Sequence, residues 1–183
     1  MEKVKVRISL NLILILICLA AILGLIYFSY SQLKPVYSWK VGNFIFTFRA
    51  NLKEAQKVPV YPSSEEIRSV FFNPNVKNVS IVFKDAGNEN SYYEVEGFEI
   101  AFKLTLFYKI NGLDVKINSF EIDSYEEIEG SEENPIIALV HPKFSNETCI
   151  ILKNNVVYIK AKDLKDFDLA TSKFLISVME IKI

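Results

Sequence analysis

The chain has 183 residues, half of them hydrophobic, with a net charge of −1 and a mean hydropathy of +0.20. That length suits one domain rather than two, and 14 Phe, 9 Tyr and 1 Trp with only 6 Gly and 6 Pro exclude a disordered or collagen-like chain. Two Cys exclude a disulfide scaffold, one His excludes a multi-histidine metal centre, and no basic excess exists to attract nucleic acid.

Residues 1–7 form a basic stub with Lys3, Lys5 and Arg7 against Glu2. Residues 8–28 carry no charge, and as a helix they would cover about 31 Å, close to the hydrocarbon thickness of a bilayer. The run is longer than the apolar region of a cleavable signal and ends in Tyr27, Phe28 and Tyr30, a cluster suited to the membrane interface. Residues 8–30 are therefore expected to be an uncleaved transmembrane signal-anchor, with a cleaved signal as the alternative. Asn11 lies near the cytoplasmic end, and Cys18, preceded by Ile15 and Ile17, does not resemble a lipidation site. The basic stub places the N-terminus in the cytoplasm and residues 36–183 outside, where the charge is mildly acidic.

Residues 31–35 read as a short linker. VYSWKV (36–41), Gly42-Asn43 and FIFTFRA (44–50) read as a hairpin burying Phe44, Phe46 and Phe48 on one face, with the Gly-Asn pair supplying positive φ. Residues 51–62, with Pro59 and Pro62, are expected to be an irregular crossing. Ser63 and Glu66 form a capping box for a short helix ending at Asn73-Pro74. A strand at 76–84 and a polar loop at 85–91 follow. Residues 92–110 fit a helix, with Phe98, Ala101, Phe102, Thr105 and Leu106 at helical spacing and Asn111-Gly112 as its stop; alternation at Ile100, Phe102, Leu104 and Leu106 also fits a strand. The length favours the helix.

Next come a strand at 113–122, a solvated acidic loop at 123–134 and a buried central strand at 135–141. A hairpin at 148–153 and 156–161 turns on Asn154-Asn155, and Asp163 caps a helix over 164–179 with Leu164, Phe167, Ala170, Phe174, Leu175 and Val178 as its stripe. The expected fold is α/β: one transmembrane helix, then a single domain with a partly parallel sheet, two hairpins and about three helices.

No phosphate-binding glycine loop, nucleophile elbow or HExxH occurs. The best candidate site is the loop after strand 135–141, where His141 stands near Ser145 and Glu147. Open α/β sheets place ligands at such strand ends, and histidine exchanges protons near neutral pH. Cys149 reads as an inert strand cysteine, and the acidic loop lacks the spacing of a calcium loop. Asn146 and Asn78 begin N-x-S/T triplets, with Asn146 the better glycan acceptor.

The blocks FRANLKEAQKVPVYP (48–62), NPIIALVHPKFSNET (134–148) and KDFDLATSKFLI (165–176) resemble those of uncharacterised single-pass envelope proteins of archaea. That resemblance implies an extracytoplasmic setting and assigns no residue a role. The expected function is a membrane-anchored, non-enzymatic binding or assembly domain, held by residues 8–30 and contacting an envelope protein or surface polymer, without cofactor or metal. The alternative is an envelope-acting enzyme using His141, with Ser145 or Glu147 assisting.

Overall fold

The computed structural model describes residues 17–25 and 37–182. Residues 17–25 are helical, and their apolar side chains are exposed. The rest of the expected 8–30 anchor lies outside the described residues, among which no helix is long and apolar enough to cross a membrane.

Residues 37–182 build a mixed α/β unit with a two-stranded and a six-stranded sheet. The strands are β1 (Tyr37–Val41), β2 (Phe44–Phe48), β3 (Val60–Tyr61), β4 (Asn78–Phe83), β5 (Lys116–Glu121), β6 (Ile136–Val140), β7 (Cys149–Lys153) and β8 (Val156–Lys160). The helices are α1 (Leu52–Ala55), α2 (Ser64–Phe71), α3 (Asn90–Ile110) and α4 (Leu164–Met179).

β1 and β2 pair antiparallel as expected, but only Phe46 and Phe48 are buried, while Phe44 at the hairpin tip is exposed. Gly42 alone supplies the positive φ of the turn, at +57°. The 51–62 crossing is more ordered than expected. Asn51 accepts a hydrogen bond from the backbone of Lys53 and starts the single turn α1, and Val60–Tyr61 pair with β7. Ser63 caps α2 through the amide of Glu66, and Asp163 caps α4 through that of Asp166. Asn154 and Asn155 both take positive φ at the β7–β8 turn.

The large sheet runs β3-β7-β8-β6-β4-β5, with β5, β4, β6 and β8 mutually parallel and β7 antiparallel to β8. Strand β6 is central and buried throughout. One face carries Val79, Ile81, Ile137, Leu139, Val157 and Ile159 into the main core. Helix α4 lies over β7 and β8 there and packs against α1, α2 and α3, with Phe71 meeting Phe174 edge-on.

The opposite face is covered by the acidic segment after β5, which is not the free solvated loop expected. Ile122, Tyr125 and Ile128 pack on Val82, Ile136, Ala138 and Val156 as a strap. The Tyr125 hydroxyl accepts from the Lys84 amide at 3.0 Å and donates to the Leu139 carbonyl at 2.6 Å. It therefore bridges β4 and β6 just where their pairing ends at Phe83 and Leu139.

Residues 90–110 are a helix, as length implied, but Phe98, Phe102 and Thr105 of the residues at helical spacing do not lie on its buried face. Tyr93, Gly97, Ile100, Leu104, Phe107 and Tyr108 face the core, whereas Phe98 and Phe102 face outward. Apolar residues on both sides leave periodicity unable to choose between them.

Candidate functional site

From β4 the chain leaves through α3 to β5 on one side; from β6 it continues to β7 and β8 on the other. The carboxyl ends of β4 and β6 thus flank the topological switch point, where open α/β sheets form ligand crevices. The corner after β4 is braced by Asp85, which accepts from the Gly87 amide at 2.8 Å and the Asn90 side chain at 2.7 Å. The Gly87 hydrogen bond, followed by that of Asn90, holds the Asp85 carboxyl below its usual range. Gly87 has φ of +73°, which glycine adopts without strain, and the corner delivers Glu89 to the crevice.

His141 follows β6 directly and is 1 % exposed. Its amide donates to the Tyr93 hydroxyl at 3.3 Å, and its Nδ1 accepts from the Lys143 amide at 3.1 Å. In the neutral ring this leaves the proton on Nε2. That buried Nε2 has no hydrogen-bond partner; the nearest charge is Glu89 Oε2 at 3.6 Å. Burial pushes the imidazole below its ordinary pKa, against the pull of Glu89 and with the push of Lys143, so the ring is neutral at pH 7. The shallow cleft here is lined by Glu89, His141, Pro142, Lys143 and the start of α4 at Asp163, Leu164 and Lys165.

The other expected participants are turned elsewhere. Ser145 donates to the Glu147 carbonyl at 2.9 Å and accepts from its amide at 3.3 Å, closing a local turn. Glu147 pairs with Lys160 at 3.1 Å, and neither residue lines the His141 cleft. Cys149 is buried, and burial pushes its thiol up, away from nucleophilic reactivity. Asn146 is exposed in its loop, whereas Asn78 is half-buried at the start of β4. Among the described residues no group of three or more His, Cys, Asp or Glu is placed to hold a metal.

A second concave region lies between β2 and α3, an apolar groove of about 470 Å³. Ile45, Val95, Phe98 and Phe102 form its walls, and the Phe98 and Phe102 rings stack at 6.0 Å with 13° between their planes. Arg49, Glu99 and Lys103 line it as well. The buried Lys103 pairs with Glu99 and stands 4.0 Å over the Phe48 ring. Burial, reinforced by the charge of Asp168, raises the Glu96 carboxyl to about 8. Burial likewise raises Asp168 to about 6. Sequence reasoning missed this region, although charges at Glu96, Glu99 and Lys103 inside an apolar helix signal buried pairing.

No protein-family model, curated protein or solved structure matches the chain.

Proposed function

We propose that this chain is a membrane-anchored, extracytoplasmic binding domain of the cell envelope, non-enzymatic, whose His141 cleft receives an oxyanion group of a surface polymer or envelope protein. The envelope placement is supported by the uncharged 8–28 run behind a basic stub. The observation that carries the binding site is the His141 Nε2–H, a buried donor without a partner at a cleft flanked by Lys143 and Lys165. An unpaired buried donor costs about 1–3 kcal/mol, which a ligand accepting that bond returns. The half-exposed Glu89 carboxylate stands 3.6 Å from the His141 Nε2, in the place where a ligand's oxyanion would be received.

The same Glu89 supports a second reading, an acid–base pair with His141 in an envelope enzyme. It is weaker, because Ser145, Glu147 and Cys149 supply no nucleophile to the cleft.

His141 is the only histidine, so its ring resonances in the full-length chain report on the cleft alone. Titration with inorganic phosphate, and separately with an oligomer of hexuronic acid, is expected to shift them saturably with at least one probe. Lys143→Ala combined with Lys165→Ala should weaken that response. Failure of both probes to saturate would overturn the binding reading. A His141→Asn variant that keeps its fold, membrane location and captured partners yet loses cellular function would favour catalysis. An intact N-terminus on the membrane-extracted protein checks the anchor separately.

A further inference from the structure

The outward side of α3 presents Ser91, Val95, Phe98, Phe102, Thr105 and Lys109, all exposed, at alternating steps of four and three residues. Phe98 is 71 % exposed and Phe102 53 %. A stripe repeating every 3.5 residues is the seam by which one helix packs along another. It is separate from the face α3 already uses against the sheet.

The stripe, apolar at Val95, Phe98 and Phe102, keeps its spacing when reversed. About a two-fold axis near Ile100, Phe98 meets Phe102 of a second copy, Val95 meets Thr105, and Ser91 meets Lys109. Glu94, one turn along from Ser91 and exposed, then comes beside Lys109 of the second copy. We propose that two copies of this chain pair through antiparallel α3 helices, with the Phe98 and Phe102 rings of each entering the groove beside Ile45 of the other. The apolar layers supply the contact, and Glu94 with Lys109 sets the direction, since parallel pairing would place like charges at matching levels. The seam is short, so pairing of free chains is weak. Two copies anchored in one bilayer raise their effective concentration, so strength in the membrane rests on the anchor reading, whereas register and direction do not.

The test uses the full-length chain in a Cys18→Ala background, with Cys149 buried and unreactive. Val95→Cys in one tagged copy and Thr105→Cys in another should cross-link efficiently on mild oxidation. Copies carrying the same substitution place their thiols about 15 Å apart and should cross-link poorly. Energy transfer between labelled copies in nanodiscs should show dimer dissociation rising at least tenfold for Phe98→Glu, and severalfold for Glu94→Lys or Lys109→Glu alone. The double exchange Glu94→Lys/Lys109→Glu should restore pairing. A monomer at every concentration, cross-linking independent of position, or a double exchange weaker than either single change would overturn the proposal. A processed N-terminus with position-specific cross-linking retained would refute the anchor and leave the pairing standing.

Discussion

Replacing Tyr125 with Phe removes one oxygen and keeps the ring. The ring's packing on the back face of the sheet and its edge contact with Phe144, at 6.4 Å, survive the change. What is lost is the bridge from the Lys84 amide, at 3.0 Å, to the Leu139 carbonyl, at 2.6 Å. The carbonyl belongs to Leu139, the last paired residue of β6, and the amide to Lys84, one step beyond Phe83, its partner on β4. Each partly buried backbone group left unpaired costs about 1–3 kcal/mol, and water reaches the strand ends in part, so about 2–4 kcal/mol is expected in total. For a domain of this size 1 kcal/mol corresponds to about 2–4 °C, so Tm should fall by about 4–16 °C. Thermal unfolding of the full-length chain followed by circular dichroism measures it. A fall under about 2 °C would show that the two groups re-pair directly and that the bridge adds nothing.

Glu96→Gln should flatten the pH dependence of stability. An acid raised to about 8 in the fold binds a proton that the unfolded chain has released, so the native chain loses stability as pH climbs from about 4.5 to 8. Urea unfolding at pH 5 and pH 8 should show a smaller difference for the variant; an unchanged difference would locate the effect elsewhere. Gly130→Ala should loosen the strap, because a Cβ there would lie 2.3 Å from the carbonyl oxygen of Asn155. About 2–3 kcal/mol of destabilisation and faster proteolysis between 122 and 134 are expected, and wild-type proteolysis rates would refute the contact.

Local chemistry made much of this fold readable. Ser63 and Asp163 have side-chain acceptors that helix starts demand, and Asn154-Asn155 suits a turn with two positive φ angles. The unbroken apolar run at Ile136–Val140 could only belong to a strand covered on both faces. What escaped were decisions made by tertiary partners. Phe98 and Phe102 lie on one apolar side of α3 and Ile100 and Leu104 on the other, and only the sheet selects between them. Tyr125 and Ile128 lie among carboxylates that advertise a solvated loop, and their burial depends on the uncovered back of β4, β6 and β8. The position of His141 at a strand end was legible, but its neighbour Glu89 comes from a loop 52 residues earlier and no spacing rule connects them.

The two borders of the large sheet bear on how copies of this chain can meet. On one side the sheet stops at β3, which offers two residues of backbone to a newcomer. On the other it stops at β5, a largely exposed strand bounded by Lys116 and Glu121 with Asn118 and Ser119 between them. A stranger strand adding there would meet charged ends at Lys116 and Glu121 and polar Asn118 and Ser119, with Phe120 as its one exposed apolar side chain. Crowding multiplies encounters between identical chains, and unguarded borders would turn those encounters into open-ended stacking. Short or charged borders leave the proposed α3 pairing as the contact that would close on itself after two molecules.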